Sequence, residues 1–254
     1  MKNLRTYLWV AFLSLLGAPC GHAFAQTPPK TLHLVANENA VEQAIAAKFI
    51  QDIYAKAGLH ADIEPLPGKR SNHAALNGLK DGEIARISPH AANNPPLIRV
   101  DPPYYRLTTG VFVRAGSQIL IQRKEDLAQF RVGVVRGIAH AEHAVTGLSG
   151  VTVVSKYEQL YRMIEAGRID VGIDTGINGK AEIHRLGLDS KVKHIGDIAT
   201  FDLHNILTPK HAGLSPKIGA TIKAMQASGE LQELTKKYER QAIDHSENRL
   251  GLSR

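Results

Sequence analysis

The sequence predicts an α/β fold whose strands are mostly parallel. Short β-rich runs alternate with helical patterns along the chain, no long linker interrupts this alternation, and one turn pattern occurs twice. Parallel pairing follows because a helix between two strands carries the chain back to the end where the first strand began. At 254 residues the chain is long enough to bury a substantial core.

The N-terminal segment has the layout of a secretory signal peptide. Lys2 and Arg5 precede an apolar run over residues 7–16, and Ala23-Phe24-Ala25 has the small-x-small form that signal peptidase accepts. The apolar run is too short to cross a bilayer, which takes ~20 residues of helix. We therefore expect residues 1–25 to be removed by cleavage after Ala25, leaving a periplasmic protein without an anchor.

Cysteine usage and charge limit the classes of function. Cys20 is the only cysteine. A lipid anchor on Cys20 is the competing interpretation, but Pro19 fits a lipoprotein consensus badly. Cleavage after Ala25 would leave no cysteine, which excludes disulfides, thiolate nucleophiles and zinc–thiolate sites. The formal charge is +7, but lysine and arginine are spread along the chain, so we expect no nucleic-acid partner.

The first strand and the first helix are predicted soon after the expected cleavage site. Residues 32–35 form the strand, and Asn39 is suited to cap the helix because its side chain can accept a hydrogen bond from a first-turn N–H. Gly58 ends this helix, since glycine readily adopts the left-handed conformation of a helix stop. The helix presents one apolar stripe of residues spaced by four, namely Val41, Ile45, Phe49 and Ile53.

The later elements continue the alternation. Ser215 as cap and Pro216 at the first helical position open a helix near the end of the chain, and Gly229 interrupts its apolar face. Strands are predicted at residues 61–64, 111–113, 132–135, 151–154, 171–173 and 206–207, and helices at 71–77, 139–145 and 157–166.

The repeated turn pattern suggests two lobes of similar construction. Gly78 is followed by Asp81, and Gly167 by Asp170; in both places a helix ends before the glycine and a strand follows the aspartate. The glycine supplies the left-handed helix stop, and the aspartate is suited to accept hydrogen bonds from backbone N–H groups. Coincidence is the alternative, because glycine and aspartate are common in turns.

The order of these features resembles the family 3 solute-binding proteins, the periplasmic amino-acid-binding components of ABC transporters. Residues 100–105, Val-Asp-Pro-Pro-Tyr-Tyr, look like the family's Phe-Ser-Asp-Pro-Tyr segment. Residues 125–137, Glu-Asp-Leu-Ala-Gln-Phe-Arg-Val-Gly-Val-Val-Arg-Gly, are similar to its entry into the second lobe. Three further landmarks, at residues 78–81, 165–170 and 227–231, complete the series in order.

The resemblance implies a two-lobed, type II periplasmic-binding-protein-like fold, in which each lobe is a mostly parallel sheet flanked by helices. Lobe 1 would comprise residues 26–111 and 203–254, and lobe 2 residues 112–202. A hinge would close the cleft on a solute that contacts both lobes. The implied partners are a small-molecule solute and an inner-membrane ABC permease, and we expect a monomer without a cofactor.

At the positions where the family contacts its ligand, the residues of this chain differ from the family's pattern. Asn93 or Asn94 stands where the family has an arginine that grips the ligand's α-carboxylate. Ile138 replaces a serine or threonine, and Thr175 replaces the second-lobe aspartate, with Asp174 one residue earlier. We therefore expect a small polar solute other than an ordinary α-amino acid.

Candidate ligand-binding residues stand where predicted parallel strands end, because clefts in α/β folds lie at the carboxyl ends of strands. Arg86 would favour an anion such as a carboxylate or phosphate. Arg136 precedes a helix start whose N–H groups attract negative charge. For Arg70 and these two arginines, a solvated surface position is the alternative, and for Tyr104 it is packing. The candidates are Asn37, Glu38, Arg70, Arg86, Ser88, Tyr104, Arg136, Gly137, His140, Asp174 and Thr175.

Metal binding and catalysis are weaker alternatives. His140 and His143 are three apart and have no third ligand fixed by sequence, so surface histidines are the better interpretation and no metal is expected.

Relatives of this fold include periplasmic enzymes such as cyclohexadienyl dehydratases, for which Glu38, Asp174 or His140 would supply an acid or base. No spacing singles out a catalytic set, so we expect a protein that is not an enzyme. A sensor that docks on a membrane receptor is the third alternative.

Overall fold

The computed structural model describes residues 30–38 and 40–244, so the predicted signal peptide and the cap at Asn39 lie outside the described residues. Nine strands form one sheet in this part of the chain. They are β1 (Lys30–Asn37), β2 (Leu59–Leu66), β3 (Gly82–Ile87), β4 (Ile98–Arg99), β5 (Tyr105–Arg114), β6 (Val132–Val135), β7 (Thr152–Val154), β8 (Val171–Thr175) and β9 (Val192–Leu207).

The helices fill the intervals between strands and the end of the described chain. Short 3-10 turns at Lys124–Gln129 and Pro209–Leu214 accompany them. The helices are α1 (Val41–Lys56), α2 (Gly68–Leu76), α3 (Pro89–Asn93), α4 (Ala139–Ala144), α5 (Tyr157–Glu165), α6 (Gly176–Arg185), α7 (Ser215–Ala227) and α8 (Glu230–Asp244).

Two groups of parallel strands lie at opposite ends of the sheet. β1 pairs in parallel with β2 and β3, and β6 pairs in parallel with β7 and β8. β5 and β9, here called the connecting strands, lie between the groups and pair antiparallel with each other; β9 also pairs antiparallel with β3, and β5 with β8. We call β1–β3 with α1, α2, α7 and α8 the first half, and β6–β8 with α4 and α5 the second half.

The apolar stripe of α1 is confirmed. Ile45, Phe49 and Ile53 are at most 1% exposed and pack in the core of the first half together with residues of β1, α7 and α8. The helix ends at Lys56, and Gly58 follows with φ of +63°. The second half has an apolar cluster on each face of its sheet, because Val111 and Val113 of β5 point to one face and Phe112 to the other.

The repeated turn is built alike in both halves. Gly78 and Gly167 both have φ of +67°. A carboxylate oxygen of Asp81 accepts the backbone N–H of His33 at 2.9 Å, and one of Asp170 accepts that of Arg131 at 2.9 Å. Both aspartates therefore accept backbone N–H groups as predicted, but the donors, His33 in β1 and Arg131 directly before β6, lie outside the turn where they were expected.

Several elements differ from the prediction. The connecting strands run over Tyr105–Arg114 and Val192–Leu207, far longer than the apolar segments that predicted them. α6 was not predicted. Ser215 is itself helical and Leu214 takes the cap position, because the 3-10 turn at Pro209–Leu214 leads directly into α7.

Candidate functional site

The carboxyl ends of the two parallel groups face each other across the connecting strands. Ile87, at the end of β3, is the register partner of Leu203, which also pairs with Tyr105. Thr175, at the end of β8, pairs with Thr109. Tyr105 and Thr109 are separated by roughly 14 Å of antiparallel strand. The region between these strand ends, where the sequence predicted ligand binding, is here called the cleft.

The end of β1 and the start of α2 form one edge of this cleft. The backbone N–H of Asn37 donates to the Gln43 side-chain oxygen at 3.1 Å, and that of Glu38 donates to the Leu66 carbonyl at 2.9 Å. Asn37 Oδ1 is buried without a partner and lies beside Gly68, the first residue of α2. Arg70, in the first turn of α2, is exposed, and no side-chain partner is seen for it among the described residues.

Arg86 is neutralised by a buried carboxylate. Glu83 is 1% exposed, and one of its oxygens accepts from the Arg86 guanidinium while the other lies 2.7 Å from His90 Nε2. Arg86 also donates to Ser71 Oγ at 3.2 Å. Burial alone would raise the pKa of Glu83, but His90 and Arg86 hold that pKa below its ordinary value. The Arg86 charge is therefore balanced inside the first half.

Ser88 is hydrogen-bonded to β9, and Tyr104 to β3 of the first half. Ser88 Oγ lies 3.0 Å from Nε2 of His204 in β9. Tyr104 is 3% exposed, packs against the Phe49 ring and donates its hydroxyl proton to the Ile84 carbonyl at 2.8 Å. Tyr104 thus lies in the core, in the packing arrangement that was the alternative to stacking on a ligand.

The loop between β6 and α4 forms the opposite edge of the cleft. Arg136 is exposed; its backbone N–H donates to the Val154 carbonyl at 2.9 Å, and no partner of its guanidinium is seen in the described chain. Gly137 has φ of +81°, a left-handed conformation that glycine adopts without strain. The N–H of Gly137 donates to Glu142 Oε1 at 2.7 Å, so a carboxylate of the chain itself already lies at this loop.

His140 carries an unused ring nitrogen. Its Nδ1 lies 3.0 Å from the Thr109 hydroxyl oxygen on β5, whereas Nε2 is buried and has no partner. Burial lowers the pKa of His140 to about 4, so the ring is neutral near pH 7. Nε2 is thus a polar atom of His140 without a hydrogen-bond partner in the described chain.

Asp174 and Thr175 hold the start of α6 in place. Asp174 is fully buried and accepts from Tyr161 Oη at 2.9 Å, from Asn178 Nδ2 at 2.6 Å and from the Thr175 N–H at 2.7 Å. Thr175 Oγ1 accepts the Asn178 N–H at 3.1 Å and so caps the helix. Burial raises the pKa of Asp174 to about 7 despite these donors.

Sequence reasoning missed Glu83, His204 and Thr109. Residues three apart on a regular strand point to opposite faces, so the spacing of Glu83 and Arg86 gives no hint of an ion pair. The pair forms because a bulge in β3 lies between them. The contact of His204 with Ser88 spans 116 residues, and no local pattern signals it.

Two classes of site are not seen in the described part of the chain. Residues 30–38 and 40–244 contain no group of three His, Cys, Asp or Glu side chains able to hold a metal ion. No helix within these residues is both long and apolar enough to span a membrane.

Comparison with known proteins identifies the fold. No protein-family model matches the sequence, and no curated protein matches it. Solved structures do match: an amino acid ABC transporter substrate-binding protein of Streptococcus pneumoniae bound to L-arginine has 16% sequence identity and a TM-score of 0.62, with 84% of this chain and 96% of that chain covered.

Two further structures extend the comparison beyond transport. A histidine kinase sensor domain similar to periplasmic binding proteins has 16% identity and a TM-score of 0.62, covering 83% of this chain and 96% of its own. An ancestral amino-acid-binding protein, described as a precursor of cyclohexadienyl dehydratase, has the same identity and TM-score, covering 82% and 95%. At such identities the likeness establishes the fold alone, and the chain has the two-lobed, type II periplasmic-binding-protein fold.

Proposed function

We propose that the protein captures a small polar solute in the cleft between two lobes and does no chemistry on it. The lobes comprise residues 26–111 with 203–254, and residues 112–202. The observation that carries this proposal is the register of the connecting strands, which leaves the carboxyl ends of both parallel groups facing one another. A solute that touches both sets of strand ends stabilises a closed form, because it binds that form better than the open one.

We propose that the solute carries an anionic group. Arg70 and Arg136 are exposed arginines at opposite edges of the cleft, and neither guanidinium has a partner among the described residues. Glu142 already accepts a hydrogen bond from the Gly137 N–H, so this loop accommodates a carboxylate. The carboxylate of an entering solute would take the place of the Glu142 carboxylate. Arg86 contributes little to this selectivity, because Glu83 balances its charge.

Export and delivery complete the proposal. The protein acts in the periplasm after loss of residues 1–25, and its closed, monomeric form delivers the solute to an ABC permease. The likeness to an ABC substrate-binding protein supports delivery, whereas the likeness to a histidine kinase sensor domain supports a membrane receptor as the alternative partner.

A ligand screen tests the function. The purified protein is heated with amino acids, polyamines, dicarboxylates and phosphorylated metabolites, and we expect anions to dominate the compounds that raise the unfolding midpoint. Arg70→Gln and Arg136→Gln should each weaken the binding of an anionic hit about tenfold or more, because a charge-assisted hydrogen bond contributes roughly 1.5–3 kcal/mol. Arg168→Gln, a change at an exposed arginine in the Gly167 turn, should leave affinity unchanged.

The same screen contains the contrary outcomes. A hit list confined to basic amino acids would refute the anionic solute while leaving solute binding intact. Turnover of prephenate or arogenate would refute binding without chemistry and would favour the dehydratase alternative, with the free Nε2 of His140 as the first group to test.

A further inference from the structure

Three side chains from separate segments meet at the first-half edge of the cleft. Ser88 follows β3, His204 lies in β9 and Asp101 follows β4. Ser88 Oγ is 3.0 Å from His204 Nε2, and His204 Nδ1 is 3.1 Å from Asp101 Oδ1. We propose that Ser88 is a nucleophile with His204 as its general base, and that activated acyl esters are the substrate class it accepts. This reactivity is separate from the retention of a solute in the cleft.

The proton positions on His204 favour this role. Nδ1 also lies 3.1 Å from the Val100 carbonyl oxygen, and because a carbonyl can only accept, Nδ1 carries the proton. In the neutral ring Nε2 is then an acceptor, and the Ser88 hydroxyl must be the donor in their contact. A serine whose proton already points at a base is in the arrangement needed to attack a carbonyl carbon.

The three residues are held by rigid neighbours. His204 is 3% exposed, and its position in β9 is fixed by pairing with Arg86 of β3. The Arg99 guanidinium donates two hydrogen bonds to the Asp101 carboxylate. Arg99 Nε donates to Oδ1 at 3.0 Å, and Arg99 Nη2 donates to Oδ2 at 3.1 Å. Arg99 Nη1 also donates to the Ser88 carbonyl at 3.4 Å, tying the serine loop to the same cation. The base lies on β9 and the carboxylate is held by the Arg99 ion pair, which keeps the geometry that general base catalysis requires.

The reaction consumes one ester and one water and yields one acid and one alcohol. Ser88 Oγ bonds to the ester carbonyl carbon, the hydroxyl proton moves to His204 Nε2, and the bond to the leaving oxygen breaks with its electron pair. His204 releases this proton through solvent to the departed anion. Water then attacks the acyl carbon while one water proton moves to His204 Nε2, the bond from that carbon to Ser88 Oγ breaks with its electron pair, and His204 returns the proton to Ser88 Oγ. Esters whose leaving group departs as a stable anion, such as p-nitrophenyl esters, define the class because that group needs no proton from the protein.

Covalent labelling tests the proposal on the intact protein. A fluorophosphonate should form one adduct, in which the Ser88 oxygen displaces fluoride, and peptide mass mapping should locate it at Ser88. p-Nitrophenyl acetate should release p-nitrophenolate in a burst. Ser88→Ala should abolish both signals, and His204→Gln should slow labelling about 100-fold, the usual scale of a general base. Ser190→Ala, at an exposed turn serine, is the matched control and should label at the wild-type rate.

Asp101 is a positioning residue, and its effect is read by comparing two variants. Asp101→Asn should slow labelling at Ser88 less than His204→Gln does, and Asp101→Glu should restore part of the rate, because Asp101 orients the His204 ring without receiving the serine proton. An unlabelled wild-type protein, an adduct on another residue, or wild-type labelling of His204→Gln would each overturn the proposal. Mapping on the wild-type protein decides the matter even if a variant fails to fold, and a failed solute screen leaves the labelling result unaffected.

Discussion

At the residue scale, burial moves two titratable groups beside β5 in opposite directions. Asp174 pairs in register with Gly110, and its pKa rises to about 7; His140 contacts Thr109, and its pKa falls to about 4. For Asp174 the folded protein holds a proton that the unfolded chain releases, so stability falls as pH rises from about 4 to 7. For His140 the unfolded chain binds the proton first, so stability falls as pH drops from about 6.5 to 4.

One substitution isolates the contribution of Asp174 to the pH dependence of stability. Asp174→Asn removes the titrating group, so wild-type stability should decline relative to the variant by roughly 2–3 kcal/mol between pH 5 and pH 8. Urea unfolding at both pH values measures the difference. Asp189→Asn, at a carboxyl whose side chain is 61% exposed, should show no such trend, and a pH-independent gap between wild type and Asp174→Asn would contradict the assignment.

At the element scale, the close approach of β3 to β9 depends on a residue without a side chain. A Cβ on Gly82 would lie 2.1 Å from the Ile206 carbonyl oxygen, a backbone atom that cannot swing aside. Gly179 of α6 allows a similar close approach to the Phe112 ring, since a Cβ on Gly179 would lie 2.0 Å from Phe112 Cζ. These contacts position residues at both ends of the cleft, because Ser88 directly follows β3 and Thr175 directly precedes α6.

Gly82→Ala should therefore destabilise the protein more than an ordinary surface change. We expect a loss of about 3 kcal/mol or more in the free energy of unfolding, at the upper end of what overpacking costs. Gly213→Ala is the matched control, because a Cβ there meets nothing within 4 Å, and its effect should stay within about 0.5 kcal/mol. Equal unfolding midpoints for the two variants in urea would show that β3 and β9 can separate at little cost.

Local patterns in the sequence anticipate elements better than they anticipate the site. The α1 stripe and the Gly78 and Gly167 turns are set by neighbouring residues, and the structure contains them. α6 escaped prediction because Gly176 and Gly179 pack against other elements and leave no apolar periodicity. The ion pair of Glu83 depends on a bulge, and the partner of Ser88 lies in a distant strand, so neither could be inferred from spacing.

At the scale of the whole molecule, two antiparallel strands are the chief connection between the halves. β5 and β9 pair over the whole length of β5, from Tyr105 with Leu203 to Arg114 with Val192. α6 adds a second connection, since it follows β8 of the second half and packs on α1 and α8 of the first. Relative motion of the halves must therefore bend the paired strands and slide α6 over its neighbours.

Spin labels can follow that motion. Leu79→Cys and Val153→Cys place labels at exposed positions in the first and second halves, 69% and 45% exposed, in a chain whose only native cysteine precedes the expected cleavage site. A solute that raises the unfolding midpoint should shorten the distance between these labels in pulsed electron resonance. A pair at Leu79 and His60, both in the first half, should keep its distance, and identical distances for Leu79 and Val153 with and without solute would argue against closure.

The pairing of Arg114 with Val192 also has a consequence for modularity. Because Ala115 N–H donates to the Lys191 carbonyl at 2.7 Å, the chain enters and leaves the second half at adjacent points. Residues 115–191 thus form one continuous insertion whose first and last residues are neighbours, where β5 ends and β9 begins. Replacing residues 115–191 by the corresponding segment of another protein of this fold should give a chimaera whose first half keeps its structure. A new ligand specificity is then accessible through a single exchange.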